Sequence, residues 1–175
     1  KRRESLTVRL EAPSAPSLLA PFATRPLDFQ FFQYRIAGPF GSSSPVTLRL
    51  DTCPLLPPAS GHDTPQTARE LPADGAVVTA ALDRYNAAHW YRVRLKAKQT
   101  LSLDVACERL GARGDPYVQV FNPDGKLVTE LDDWGGNHGA ACRCHLRDPW
   151  GLVTADKEGD HRFVVRNRTR EGDPC

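Results

Sequence analysis

The sequence predicts an all-β fold, an antiparallel β-sandwich, on three observations. Apolar and polar residues alternate with a period of two in one segment after another, as in strands with one buried and one solvated face. The segments are separated by residues typical of turns, and the chain holds 15 Pro and 13 Gly. An apolar period of 3.6 residues nowhere extends beyond two turns. We therefore expect strands joined by turns along the chain.

The alternation locates the expected strands. In the first, Leu6, Val8 and Leu10 alternate with polar residues. The later segments with the same pattern are Phe32–Ile36, Val46–Leu50, Tyr91–Leu95, Leu101–Cys107, Val118–Val120 and Phe163–Val165. The dipeptide Asp124-Gly125 is typical of a tight hairpin and is expected to link residues 117–122 to 126–131. The best helical candidate is a short turn over residues 65–71, with Thr64 as its N-cap.

A change in composition divides the chain into two predicted parts. Residues 54–62 (PLLPPASGH) place three prolines and one glycine between two strand-rich regions. We predict an N-terminal β segment over residues 1–57 and a larger β-sandwich module over residues 58–175. The first part is too small to fold stably on its own. We therefore expect it to pack on the module or on a neighbouring chain.

Composition and charge exclude several classes of protein. The 175 residues are 40% hydrophobic and 25% charged, as in a globular protein. The 23 Lys and Arg against 21 Asp and Glu leave a net charge of +2, too balanced for nucleic acid as the main partner. No apolar run approaches the roughly 20 residues of a membrane span. Because the chain contains no Met, we expect a processed or excised piece.

The five cysteines favour an oxidising compartment and predict disulfides whose pairing stays open. They are Cys53, Cys107, Cys142, Cys144 and Cys175. Two cysteines as close as Cys142 and Cys144 rarely bond each other in a strand, so separate disulfides suit them better. Cys107 is a natural partner for one of these two, and Cys53 could link to Cys175. The odd cysteine is then free or paired with another chain.

Four segments between residues 62 and 167 carry a resemblance to a known family. They read HDTPQTARELP (62–72), HWYRVRLKAKQTLSLDV (89–105), GDPYVQVFNPDGKLVTELDDWG (114–135) and EGDHRFVVRN (158–167). In this order and spacing they resemble the bacterial pre-peptidase C-terminal domain, a family that includes the collagen-binding domains of clostridial collagenases. The segment YRIAGPFGSSSPVTLRL (34–50) also resembles the β segment before this domain in large bacterial surface proteins.

The resemblance implies a jelly-roll-like β-sandwich that is appended to secreted proteins and has no catalysis of its own. Members of the family bind matrix or carbohydrate, assist secretion or act as spacers, and some bind calcium at the N-terminal edge of the domain. Asp63 matches a calcium ligand of that pattern. Pro58, Ser60, His62 and His89 stand where other ligands are expected. Calcium takes about six to eight oxygen ligands, so the pattern here is incomplete.

The acidic loop 131–137 (LDDWGGN) is a second candidate calcium site. Asp132, Asp133 and Asn137 offer the oxygen ligands that calcium prefers. The alternative is a solvated turn whose Asp side chains hydrogen-bond to their own backbone.

Imidazole and carboxylate groups also coincide at His62, Asp63 and His89. These three residues could form a site for zinc or another transition metal. The alternative is that the two histidines are substitutions that followed the loss of a calcium site.

Trp134 and Trp150 are the candidate ligand-binding aromatics. Both stand in segments flanked by Gly or Pro that are expected to be loops, where exposed aromatic rings serve recognition. The alternative is packing within the core.

Together these observations favour a non-catalytic extracellular module for binding, adhesion or spacing in a secreted or cell-surface assembly. We expect no enzyme activity, because hydrolase, zinc-protease and phosphate-loop motifs do not occur. The expected partners are other chains or domains of that assembly, a second copy of the chain, or a polysaccharide, and calcium is the candidate cofactor.

Two alternative functions stay open. One is a structural subunit of a fibre or layer, joined by inter-chain disulfides or by strand addition through Ser5–Leu10 of another copy. The other is a carbohydrate-binding module that uses exposed tryptophans.

Overall fold

Strands make up nearly all of the regular structure, so the all-β prediction is confirmed. The computed structural model describes residues 31–35, 37–39, 41–49, 51–82, 87–112, 114–133 and 147–168. In chain order the strands are β1 (Phe31–Tyr34), β2 (Ala37–Gly38), β3 (Gly41–Ser42), β4 (Val46–Arg49), β5 (Arg69–Leu71), β6 (Ala88–Leu95), β7 (Thr100–Asp104), β8 (Pro116–Phe121), β9 (Leu127–Leu131), β10 (Trp150–Thr154) and β11 (Gly159–Asn167). A 3₁₀ helix, Glu108–Leu110, follows β7. Within these residues, no helix is long and apolar enough to cross a membrane.

The largest sheet has five strands in the order β5-β6-β11-β8-β9. β11 lies at its centre and pairs antiparallel with both neighbours, so that Phe163 is opposite Tyr91 on one side and Val120 on the other. β5 is different, because it pairs parallel with β6. The sheet is therefore not wholly antiparallel as predicted. The connection over residues 72–87 is long enough for the crossover that a parallel pair requires.

One hydrophobic core is shared by this sheet and the antiparallel pair β7–β10. The alternating residues of β6, β8 and β11 point toward this core, as the period of two predicts. Val153 and Ala155 join them from β10 and the residue that follows it. The buried members of this core are Tyr91, Val93, Leu95, Val118, Val120, Val153, Ala155 and Phe163.

The N-terminal strands form two smaller antiparallel pairs, β1–β4 and β2–β3. An ion pair joins β4 to the end of β7, because Arg49 Nη1 lies 3.0 Å from Asp104 Oδ2. The same guanidinium contacts Asp51 at 2.8 Å. These contacts place the β1–β4 pair beside β7 and the 3₁₀ helix.

The predicted hairpin at Asp124-Gly125 is confirmed, since β8 and β9 pair antiparallel across it. Gly125 has a φ of 79°, a left-handed conformation that favours glycine. Asn122 closes the turn, because its Oδ1 accepts hydrogen bonds from the backbone N–H groups of Asp124 (3.1 Å) and Lys126 (3.0 Å).

Two local predictions are wrong. The helical turn over residues 65–71 is only a turn at 64–67, and Arg69–Leu71 form strand β5 instead. Trp150 is not in a loop, because it is the first residue of β10 and pairs with Asp104. Its Gly151 neighbour suggested a loop, yet this glycine packs against Leu131 inside the fold.

Several predictions fall on residues outside those that the structure describes. They concern the strand Leu6–Leu10 and the residues Trp134, Asn137, Cys142, Cys144 and Cys175.

Candidate functional site

A cavity of about 610 Å³ lies beside the N-terminal end of β6. Three segments line it within the described part of the chain: residues 58–63, 79–81 and 87–89. The hydrogen bond from the Trp90 backbone N–H to the His62 carbonyl, 2.7 Å long, fixes the first segment against β6. This bond brings His62 and His89 together although they are far apart in sequence.

The two imidazoles contact each other at this cavity. His62 Nε2 lies 3.2 Å from His89 Nδ1, and the ring centroids are 5.0 Å apart. His89 Nε2 lies 2.9 Å from the Ala81 carbonyl oxygen. Since a carbonyl only accepts, His89 carries its proton on Nε2, and in the neutral ring Nδ1 turns a lone pair toward His62.

His62 is nearly inaccessible to solvent, with 5% of its surface exposed. Its Nδ1 has no hydrogen-bond partner among the described residues. Burial lowers the pKa of His62 below its ordinary 6.5, and the positive charges of His89 and Arg69 lower it further. The Ser60 backbone and Asp63 partly offset these effects. His62 therefore favours the neutral imidazole, the form that binds metals.

Asp63 lines the same cavity. However, its carboxylate does not come within 4.8 Å of both facing imidazole nitrogens. The structure thus joins the two histidines closely and leaves Asp63 at the rim, exposed to solvent.

A second candidate site lies at the open end of the β8–β9 hairpin. Carboxylate oxygens of Asp115, Asp132 and Asp133 lie within 4.8 Å of one another. Burial raises the pKa of Asp115, the charges of Asp133 and Asp132 raise it further, and Arg147 and Arg168 act against this. Asp115 Oδ1 is buried without a hydrogen-bond partner among the described residues. Three hard oxygen donors fit the chemistry that calcium prefers.

Arg168 already neutralises part of this acidic cluster. Its Nε donates to Asp132 Oδ1 at 3.0 Å, and its Nη2 lies 2.7 Å from Asp132 Oδ2. Nη2 also donates to Glu130 at 2.8 Å, and the guanidinium lies 4.8 Å from the centre of the Tyr117 ring. An ion at the cluster would share Asp132 with this cation.

Sequence reasoning missed Asp115 as part of the cluster. Asp132 and Asp133 are adjacent in the chain, whereas Asp115 comes before β8. The signal was available in the hairpin, because Val118 pairs with Leu131 and continuing that register places Pro116, the residue after Asp115, opposite Asp133.

Trp150 starts β10, where it alternates with buried residues. Trp150, Leu152 and Thr154 point to one side of the strand, and Gly151 and Val153 point to the core. Trp150 is half-buried, whereas Leu152 is 61% exposed. On the adjacent β7, the Thr100 hydroxyl lies 3.0 Å from that of Thr154.

The described cysteines differ in state. Cys107 is fully buried and disulfide-bonded, and its backbone N–H donates to Asp148 Oδ1 at 2.9 Å. Cys53 is a free, half-buried thiol, so a disulfide to it is absent from the part of the chain that the structure describes.

No family model matches the chain, and no curated protein is significantly similar to it. The resemblance to the pre-peptidase C-terminal domain therefore stays a prediction.

Proposed function

We propose that the chain is a non-catalytic extracellular module, a jelly-roll-like β-sandwich that binds or spaces other parts of a secreted or cell-surface assembly. A core shared between the five-stranded sheet and the β7–β10 pair supports the sandwich arrangement. The ordered resemblance of residues 62–167 to a family of such modules supports the role.

The observation that carries the binding role is the outer face of β7–β10, formed by Thr100, Ser102, Trp150, Leu152 and Thr154. An exposed leucine stands two residues from an indole on one side of the same strand, with hydroxyl groups beside them. Indole rings combine a large apolar surface with a hydrogen-bond donor and are enriched at binding surfaces. The exposed Leu152 therefore offers a partner apolar contact, with the hydroxyl groups of Thr100 and Thr154 on the same face.

The buried disulfide of Cys107 supports an extracellular location. Disulfides persist in oxidising environments and are rare in reducing ones.

Co-sedimentation with insoluble collagen fibrils and insoluble polysaccharides tests the binding role. We expect retention on at least one of these surfaces, and we expect Leu152→Ser to weaken it. Leu55→Ser is the matched control, because Leu55 is 66% exposed and pairs with Val77 rather than with β7 or β10. Absence of retention on every surface, or equal losses in the two variants, would contradict binding through the outer face of β7–β10.

A structural subunit joined by strand addition is the second candidate, and strand β9 favours it. β9 is at the edge of the five-stranded sheet among the described residues, and Leu127 and Val128 are nearly half exposed there. An edge with apolar side chains can accept a strand from another copy. Self-association measured by light scattering, abolished by Val128→Lys, would favour this candidate. Gels with and without reductant would show whether disulfides contribute.

A further inference from the structure

Two imidazole nitrogens from different parts of the chain converge at the cavity beside β6. His62 Nε2 and His89 Nδ1 are separated by 3.2 Å. Two nitrogens that bind one tetrahedral metal ion at 2.0–2.1 Å lie about 3.3 Å apart. The separation in this structure therefore matches that of a metal-bound pair of histidines.

The Ala81 carbonyl orients the His89 ring as the ring of a metal-binding histidine is oriented. It accepts the Nε2–H of His89 at 2.9 Å, so the lone pair of the neutral ring is on Nδ1 and faces His62. Metal-binding histidines commonly donate their second ring N–H to a carboxylate or a backbone carbonyl, which fixes both the tautomer and the ring orientation. His89 thus has the outer hydrogen bond of a metal ligand.

The two imidazoles are tilted relative to each other where they line the cavity. The ring planes meet at 42°, and both side chains line the cavity of about 610 Å³. The start of strand β6 and the segment 58–63 hold the two rings together, because the His62 carbonyl accepts a hydrogen bond from the Trp90 backbone N–H.

We infer that His62 and His89 form a two-nitrogen site for a divalent transition metal ion of the class of Zn²⁺, Ni²⁺ and Cu²⁺. Imidazole selects these ions, whereas Ca²⁺ and Mg²⁺ prefer oxygen ligands. The remaining coordination positions face the cavity, where water or a small ligand completes the shell. This site is separate from the outer face of β7–β10, so the inference does not depend on the proposed binding role.

A Zn²⁺ titration by calorimetry, on the folded full chain near neutral pH, tests the inference. Every protein carries Cys53→Ser, which removes the Cys53 thiol as a competing ligand. We expect one Zn²⁺ per chain at this site and no competition from Ca²⁺. We expect His89→Ala to weaken binding by at least about tenfold, since even loss of an outer hydrogen bond costs about 10–100-fold in metal affinity.

The matched control is Asp132→Asn with Asp133→Asn, which removes the acidic cluster and leaves both imidazoles in place. We expect it to bind Zn²⁺ as the background protein does. His62→Ala should weaken binding as His89→Ala does. Because His62 is 5% exposed and its loss can unfold the chain, the half-buried His89 is the decisive position.

Paramagnetic broadening by sub-stoichiometric Cu²⁺ gives a second readout. We expect the ring signals of His62 and His89 to broaden first in the NMR spectrum, followed by those of Tyr91, whose ring centre lies 5.3 Å from that of His62. Unchanged Zn²⁺ affinity in His89→Ala, or broadening that begins at other residues, would overturn the inference. In that case the contact is a hydrogen bond between the two imidazoles.

Discussion

Arg109 donates a hydrogen bond from Nε to Asp148 Oδ2 at 2.8 Å, and their side chains are only 6% and 0% exposed. The same carboxylate accepts the backbone N–H groups of Cys107, Glu108 and Arg109, at 2.9, 2.8 and 3.1 Å. Asp148 thereby accepts the backbone N–H groups at the start of the 3₁₀ helix, although it is distant from the helix in sequence. The Arg109 guanidinium also pairs with Asp104, which continues the network to Arg49 at the end of β4.

This network predicts a large loss of stability for Asp148→Ala. Burial alone lowers the pKa of Arg109, but hydrogen bonds and charges from Asp104 and Asp148 raise it above its ordinary value. Removing Asp148 leaves a buried cation with one carboxylate fewer, so we expect the free energy of unfolding to fall by about 3–5 kcal/mol. Urea denaturation under non-reducing conditions measures this. Asp156→Ala, at an exposed position, should change stability by no more than about 0.5 kcal/mol. Similar losses in the two variants would contradict the account of the network.

Alkaline pH should destabilise the fold through Tyr91. Burial in the core raises the pKa of Tyr91 to about 12, and Arg69 offsets part of this. The folded protein therefore keeps a proton that the unfolded chain releases near pH 10, so stability falls as pH rises from about 10 to 12. We expect this residue to account for about 2–3 kcal/mol of the loss.

Tyr91→Phe isolates that effect, because it keeps the ring and removes the ionisable group. The difference in unfolding free energy between the variant and the natural protein should change with pH only above about pH 10. A pH-independent difference across the whole range would show that Tyr91 does not titrate in this way.

Close packing between β9 and β10 predicts that Gly151→Ala is destabilising. A Cβ atom at residue 151 would lie 2.5 Å from Leu131 Cδ2. Overpacking of this kind typically costs about 1–3 kcal/mol. In a Leu131→Ala background the same substitution should cost less, and the coupling between the two sites is read from a double-mutant cycle by thermal unfolding. An equal loss of stability in the two backgrounds would show that contact with Leu131 is not the cause of the strain.

Calcium should stabilise the protein if the acidic cluster binds it. At 100 times its dissociation constant, an ion that binds only the folded state adds about 2.7 kcal/mol. The expected outcome is a rise in melting temperature with CaCl₂ that is absent in Asp133→Asn and after chelation. A flat response in the natural protein would exclude calcium at Asp115, Asp132 and Asp133.

Within the described residues, the sequence was informative where the alternation of apolar and polar residues reflects a buried strand face. It located β6 and β8, because alternate residues on one face of each strand are buried and the period of two follows from that. It missed β5, whose three residues are too few to show a period, and β10, where Gly151 interrupts the pattern. Gly151 is small because Leu131 occupies the adjacent space, and this contact joins strands distant in sequence.

At the candidate sites, too, the sequence indicated residues that stand in a local pattern but not the contacts between residues distant in sequence. Asp132 and Asp133 were found because they are adjacent in sequence, and His62 and His89 because a family pattern singled them out. The 3.2 Å contact between the two imidazoles follows from the backbone hydrogen bond between Trp90 and His62, which local periodicity does not encode. The Arg109–Asp148 pair is hidden for the same reason, since these residues approach only after β7 and β10 have paired.

The central claim is that the five-stranded sheet and the β7–β10 pair share one hydrophobic core. Distances between methyl groups and aromatic rings, measured by nuclear Overhauser effects, test it most directly. The account predicts cross-peaks from the Val153 methyl groups to core side chains of the five-stranded sheet, such as Tyr91, Val120 and Phe163. A Val153 that shows cross-peaks only to β7 and β10 would mean that the β7–β10 pair does not cover the sheet, and the account would be wrong.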